Sequence, residues 1–248
     1  MTAHVCENLG LLLKGTERYD ESKGLLLRAL AVYDKLLGEH HGDTVYVLNT
    51  LLSLAKTQRR DEDIEELYRR LLATHEHTLG LEHLKALSTM ELLAISLFKQ
   101  QKHKEAEALH LQVLERRKET LGENHTGTLV SYNNVAMTLM DRGQYDEAER
   151  LLMPAAARAE TALGATHDTT LLLLRHKARA LEYLERIQES SDTKSYILEL
   201  TEKGLGPDHE TTIKAALSVA GELRLQKKLR RGRALPSQNE GPEPAVTG

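Results

Sequence analysis

Histidine is the residue whose spacing in this chain first suggests chemistry. A histidine stands four residues after the leucine of each of five Leu-Gly pairs, at a constant interval of 42 residues: His41, His83, His125, His167 and His209. Imidazole is a common zinc ligand, but one zinc ion needs several ligands about 2 Å from a single point. Histidines one repeat apart would lie roughly 10 Å apart, the spacing of packed helices. We therefore predict that each histidine orders a loop, and that the chain holds no metal or other cofactor.

The other reactive residue types lack the companions that catalysis needs. The clusters His40-His41 and His75-Glu76-His77 do not have zinc-protease spacing, and we expect them to be solvated surface. The single cysteine, Cys6, falls in an apolar column of the repeat and is expected to be a packed thiol. The sequence contains no glycine-rich phosphate loop, serine nucleophile elbow or paired-carboxylate signature. We predict that the protein is not an enzyme.

A 42-residue repeat contains and positions these residues. In its clearest copy, 121–162, apolar residues recur every three to four positions in two segments, as in amphipathic helices. The first helix is predicted from about Thr128 to Asp141, and Gly143 is expected to leave it in a left-handed conformation. The second helix is predicted to begin near Asp146. A fixed period of this length is typical of a solenoid, so we predict an all-α fold. The expected N-caps of the first helices are Asp43, Thr128, Asp168 and Thr212, or their neighbours.

Small residues at facing positions of the two helices would let their backbones approach closely. The first-helix column reads Gly10, Leu52, Ala94, Ala136, Ala178 and Ala220, and the second-helix column reads Ser22, Ile64, Ala106, Ala148 and Ser190. Leu52 and Ile64 are large in the same repeat, so we expect that helix pair to be spread apart or repacked. The repeat at 163–204 is expected to be the weakest, because polar residues occupy columns that are apolar elsewhere: Lys177, Thr193 and Lys194.

The repeated phrase LGxxHxxTL…NNxA…GxYxEAExL resembles the tetratricopeptide repeat in its 42-residue form, close to the repeats of kinesin light chain. The residues that carry it are Leu121, Gly122, His125, Thr128, Leu129, Asn133, Asn134, Ala136, Gly143, Tyr145, Glu147, Ala148, Glu149 and Leu151. The resemblance implies a right-handed superhelical solenoid of antiparallel helix pairs. We expect five pairs plus one helix within 1–226, followed by a tail, 227–248, that is first basic and then disordered.

In tetratricopeptide stacks the first helix of each pair lines a concave groove, which implies a site for a peptide or helix of a partner protein. Asparagine amides pair with peptide backbone, and arginine and lysine hold acidic side chains. Methionine and phenylalanine would offer a soft apolar centre. By alignment the groove residues are Asn49, Lys56, Glu91, Phe98, Asn133, Met137, Arg175 and Arg179.

The favoured function is a non-enzymatic scaffold or adaptor for protein partners. The alternative is a sensor or oligomerisation region of a larger multidomain protein, such as an NTPase, whose other domain would be an intramolecular partner. Residues 227–248 carry a net charge of +3, which leaves −7 on the remainder. An acidic body argues against nucleic acid as the main partner. A single cysteine suggests a reducing, cytoplasmic location, and no apolar run is long enough to span a membrane.

Overall fold

The computed structural model describes residues 2–233 of the 248-residue chain. This range forms eleven α-helices and no strand: α1 Ala3–Gly15, α2 Tyr19–Leu36, α3 Gly42–Gln58, α4 Asp61–Leu79, α5 Leu84–Lys99, α6 His103–Leu121, α7 Thr126–Asp141, α8 Tyr145–Leu163, α9 Asp168–Tyr183, α10 Ile187–Leu205 and α11 Glu210–Arg233. Each odd-numbered first helix packs on the even-numbered second helix after it, and each second helix packs on the next first helix. The predicted all-α solenoid of antiparallel helix pairs is confirmed.

One left-handed residue makes the turn between the two helices of every pair. Its φ lies between 54° and 76° at five positions one repeat apart: Glu17, Arg59, Gln101, Gly143 and Glu185. The next backbone N–H bonds back across the turn, as Gln144 N does to Leu139 O at 2.9 Å. The prediction for Gly143 is confirmed. The other four residues adopt a conformation that costs side-chain-bearing residues about 1–2 kcal/mol each.

The repeated histidines are the N-caps of the first helices. The Nδ1 atom of His125 accepts a hydrogen bond from Gly127 N at 3.0 Å, and the other four histidines make the same bond two residues on at 3.1–3.2 Å. Their predicted loop-ordering role is confirmed. Asp43, Thr128, Asp168 and Thr212 are not themselves the N-caps, and only Asp168 has its N-cap, His167, as a direct neighbour. Histidine Nδ1 stands as many bonds from the backbone as an aspartate oxygen does, so it can satisfy the same N–H group.

Close approach at the small-residue columns depends on hydrogen bonds as well as on size. Ser22 Oγ donates to Gly10 O at 2.6 Å, and Ser190 Oγ donates to Ala178 O at 2.9 Å, four repeats later. A Cβ at Gly10 would lie only 2.9 Å from Leu26 Cγ. The contact between α3 and α4 is less extensive than in the other four pairs. This agrees with the expected spreading, because Leu52 and Ile64 are buried there.

The apolar core divides into two clusters along the stack. One runs from Ala3 to Val113 and includes the buried thiol of Cys6, as predicted; the other runs from Leu114 to Ala215. None of the described helices combines the length and the apolar composition needed to cross a membrane. α11 continues into the basic segment as far as Arg233. The segment predicted to be disordered, 234–248, lies outside the described residues.

Candidate functional site

The eight predicted groove residues lie on the first helices, but they differ in how much of their surface is available. Four are exposed: Asn49, Lys56, Arg175 and Arg179. Three are half-buried: Glu91, Phe98 and Met137. Asn133 is only 5% exposed. The exposed side of α3, α5, α7 and α9 is called the first-helix face below.

At the N-terminal part of this face, a cleft of about 600 Å³ opens between α3, α4 and α5. Leu92 and Ile95 form part of its apolar lining. Its charged lining residues are three cations, Lys56, Arg59 and Lys99, and one acid, Asp61. Lys56 Nζ lies 5.1 Å from the ring centroid of Tyr68, which also lines the cleft. The exposed amide of Asn49 donates to Val45 O of its own helix at 2.9 Å. This region can accept an apolar side chain flanked by negative charge.

The middle of the face is apolar and partly covered. Phe98 and Met137 each pack one side against the apolar core, and the Phe98 ring meets His103 edge-on with 5.5 Å between centroids. Asn133 Oδ1 contacts Nδ1 of His176 on α9. Burial, with the nearby charges of Arg179 and Arg175, lowers the pKa of His176 to about 4. The Asn133 amide oxygen therefore already has a partner within the protein.

Glu91 is held in a polar network that links α5, α6 and α7. Arg117 Nη1 and Nη2 donate to the two carboxylate oxygens of Glu91, each at 2.8 Å, and Nη1 also donates to Ser131 Oγ at 2.8 Å. Asn134 Nδ2 donates to Glu91 Oε1 at 2.9 Å. The Arg117 guanidinium is buried, so this bidentate pair is of the strong, shielded kind. Glu91 has a structural role that its place in the alignment did not reveal.

The positions equivalent to Glu91 and Arg117 are also linked by a hydrogen bond in the first repeat. Tyr33 OH donates to Glu7 Oε2 at 2.7 Å, and Glu7 and Tyr33 lie 84 residues before Glu91 and Arg117. This hydrogen bond and burial raise the pKa of Tyr33 to about 12. Sequence reasoning missed both pairs. Polar residues also occupy both of these positions in the fifth repeat, Arg175 and Thr201, so residue type alone did not single out the paired repeats.

At the C-terminal part of the face, positive charge collects around a second cleft of about 290 Å³. Its lining includes Arg175, Lys194 and Lys214, with Ala178, Ile197 and Ala215 between them. Lys194 forms an ion pair with Glu182, and Lys214 forms one with Glu210 at 2.5 Å. Arg179 lies over the Tyr183 ring, 5.8 Å from its centroid. The exposed guanidinium of Arg175 is well placed to meet a carboxylate from outside the protein.

The histidine clusters are not simply solvated surface, which corrects that expectation in part. His40 and His77 are exposed, but their rings stack with 4.1 Å between centroids. His75 is half-buried, with Nδ1 3.0 Å from Thr89 Oγ1, and burial lowers its pKa. Among the residues that the structure describes, no three His, Cys, Asp or Glu side chains are grouped to hold a metal ion.

A family model described as Tetratricopeptide repeat matches residues 1–77 and 85–139, and a second of the same description matches 128–168. A kinesin-light-chain-like protein of nearly identical TPR-like repeats from Podosopora anserina is 23% identical, with a TM-score of 0.65 over 81% of this chain and 95% of that one. BtubC (BKLC) from P. vanneervenii is 15% identical, with a TM-score of 0.60 over 97% of this chain and 82% of that one. No curated protein matches the sequence. The predicted resemblance to kinesin-light-chain-like repeats is confirmed at the level of the fold.

Proposed function

Because the chain belongs to the tetratricopeptide repeat family, we propose that it is a non-enzymatic adaptor whose first-helix face binds an acidic peptide segment of a partner protein. The observation that carries the proposal is the order of side chains along this face. Three cations and one acid, Asp61, line the cleft between α3, α4 and α5, and three cations line the cleft between α9, α10 and α11. Leu92 and Ile95 line the first cleft, and Phe98 and Met137 lie between the two clefts along the face.

The polar side chains in the middle of the face are hydrogen-bonded within the protein, and this restricts which ligands can bind there. Glu91 and Asn133 already have partners within the protein, so the centre offers mainly apolar contact. Three repeats at roughly 10 Å each separate α3 from α9, or about nine residues of extended chain. The ligand in this proposal is a segment of about that length with acidic residues near both ends and an apolar residue in the middle. Electrostatic steering would make its binding sensitive to salt.

The test uses synthetic nine-residue peptides with a central phenylalanine. One peptide carries glutamates toward both ends and its counterpart carries lysines. The protein should bind the acidic peptide and not the basic one, and binding should weaken as salt rises, measured by fluorescence anisotropy. Arg175→Ala with Arg179→Ala should reduce affinity about tenfold or more, since charge-assisted hydrogen bonds are worth about 1.5–3 kcal/mol each.

Two controls separate loss of the face from loss of the fold. Arg150→Ala with Lys104→Ala removes two exposed cations from the second helices α8 and α6, and should leave affinity unchanged. His125→Ala with His167→Ala removes two helix caps, so it should lower the melting temperature while the folded protein still binds. Equal loss of binding in all three variants would show that the first-helix face is not the binding surface.

The same proposal includes a cytoplasmic location, supported by the single cysteine in the sequence. An adaptor of this kind needs no catalytic group, and its partners would be proteins. The alternative role, a sensor or oligomerisation region within a larger protein, would use the same face for an intramolecular segment. A peptide competition distinguishes them, because a covered face would bind the acidic peptide only after that segment is displaced.

A further inference from the structure

The first helix carries an apolar stripe that the described part of the chain leaves uncovered. Val5, Leu9 and Leu12 are 50%, 38% and 65% exposed, and their spacing places them on one side of α1. Their equivalents one repeat later on α3 are only 0%, 3% and 1% exposed: Val47, Leu51 and Leu54. Residue type does not explain the difference, since both sets are one valine and two leucines. The difference is that α2 packs on α3.

The packing of α2 shows which side chains cover such a stripe. Leu27 and Leu30 of α2 line a common cavity with Leu51 and Leu54 of α3. Before and after these two leucines along its length, α2 forms ion pairs with α4 and the residue preceding it. The pairs are Asp20 with Arg60 at 2.7 Å, Lys23 with Asp63 at 2.5 Å, and Asp34 with Arg70 at 2.9 Å. The helix thus presents an acid, a base, two leucines and an acid along one side.

The N-terminal edge has the receiving half of this interface. Arg18, Glu21 and Arg28 stand 42 residues before Arg60, Asp63 and Arg70, so the order of charges is the same. The three residues line a cleft of about 520 Å³ with Leu9, Leu13 and Leu25. Arg18 and Glu21 are both well exposed, and within the described part of the chain their side chains pair only with each other, at 2.6 Å.

We propose that this N-terminal edge is a docking site for an amphipathic helix of another protein. The helix would lie along α1 as α2 lies along α3, with two leucine-like residues over Leu9 and Leu12. Its first acid would meet Arg18, its base would meet Glu21, and its second acid would meet Arg28. The edge is separate from the first-helix face, and the proposal does not depend on the peptide function of that face.

Charge complementarity and continuity with the repeat interfaces favour a helix of another protein over a second copy of this chain. The helix of this chain that bears the matching pattern is α2, and its matching side is already occupied by α3 and α4. A second copy would have to unpack α2 before presenting it. A separate amphipathic helix would bring the same side chains without that cost.

The probe for this test is a synthetic helix with the sequence of residues 19–36, stapled between positions 28 and 32 to hold it helical. These two positions lie away from the side chains that contact α3 and α4. Fluorescence anisotropy should show saturable binding to the whole protein. Leu12→Glu should weaken binding about tenfold or more, because it places a charge beneath an apolar contact. Leu217→Glu, at an equally exposed leucine of α11, should leave binding unchanged.

A charge exchange tests the predicted register. A probe with Asp20→Lys should bind the natural protein several-fold more weakly and regain affinity with the Arg18→Glu variant. Absence of probe binding would overturn the proposal. So would binding that is insensitive to Leu12→Glu, since the probe would then be displacing α2 from its own site. Leu12-dependent self-association of the chain in sedimentation velocity would also overturn it, in favour of a second copy.

Discussion

The third and fifth repeats place different residues at the same two positions. In the third repeat, Glu91 of α5 holds the buried guanidinium of Arg117 of α6. The positions 84 residues later hold Arg175 of α9, which is exposed, and Thr201 of α10, whose hydroxyl donates to Ile197 O of its own helix at 3.0 Å. The repeat therefore fixes where a side chain lies. The type of residue at that position decides whether the side chain bonds to a neighbouring helix or stays exposed to a partner protein.

The position of the Arg117 network along the stack adds to this contrast. One apolar cluster ends at Val113 and the other begins at Leu114, within one helical turn of Arg117. Arg117 reaches both α5 and α7, so it connects helices on either side of this boundary. In a solenoid each repeat contacts only its neighbours. A polar network at this point can therefore determine how strongly the two halves unfold together.

The largest expected effect is on stability in the third repeat. Glu91→Ala leaves the buried Arg117 without its carboxylate, which should lower the free energy of unfolding by about 3–5 kcal/mol. Arg175→Ala, at the equivalent position of the fifth repeat, should change it by no more than about 0.5 kcal/mol. Urea unfolding followed by circular dichroism compares the two.

A double replacement distinguishes an unpaired charge from lost packing. Glu91→Leu with Arg117→Met should recover most of the stability, because apolar residues of similar size can replace a buried pair. If Arg175→Ala lowered stability as much as Glu91→Ala, the proposed contrast would be wrong: this position would then be structural in the fifth repeat as well as in the third.

The second effect is acid sensitivity in the third repeat. His110 of α6 is buried, and its burial, with the nearby charge of Arg117, lowers its pKa to about 4. The unfolded chain, with a pKa near 6.5, takes up the proton first as the pH falls. The stabilising contribution is therefore complete above about pH 6.5 and is lost toward pH 4, by up to about 3 kcal/mol.

The measurement is the unfolding free energy at several pH values for the natural protein and for His110→Leu. Leucine occupies the equivalent position in the next repeat, Leu152, so the variant has a precedent within the chain. It should lose less stability than the natural protein between pH 6.5 and 4. The remaining decline would come from groups that titrate elsewhere, including His176 in the fifth repeat. Parallel curves for the two proteins would contradict the assignment to His110.

The third expected effect is a difference in local stability between the fourth and fifth repeats. Amide exchange should be faster in 188–203 of α10 than in 146–162 of α8. α8 buries Leu152, Ala155, Ala156 and Ala159, whereas the α10 positions equivalent to Leu152 and Ala159 are Lys194 and Thr201. A fully buried leucine-sized side chain contributes about 1.5–3 kcal/mol, so such replacements weaken local stability. Equal protection by hydrogen–deuterium exchange would show that the polar substitutions are compensated.

The helices and their pairing were predictable because their signals recur. The 42-residue period predicted the solenoid, and the large residues Leu52 and Ile64 predicted the loosened second pair. The capping role of histidine was missed in favour of neighbouring Asp and Thr, because those types are the common N-caps. The partners of Glu91 and Asn133 could not be predicted either. A column of an alignment does not say which of its members faces a buried cation or a histidine of the next repeat.

The smallest effect concerns the left-handed turn, where the repeats differ by one residue. The fourth repeat has Gly143, while the third and fifth have Gln101 and Glu185 in the same conformation. Glu185→Gly should raise the unfolding free energy by about 0.5–1 kcal/mol, because relief of backbone strain exceeds the added freedom of the unfolded chain. Gly143→Ala should lower it by about 1 kcal/mol, although a Cβ there would meet no neighbouring atom within 4 Å. Together the two changes measure backbone strain at the turn without a change in side-chain packing. A neutral Gly143→Ala would mean that the turn adjusts its backbone, and the five turns would then not share one required conformation.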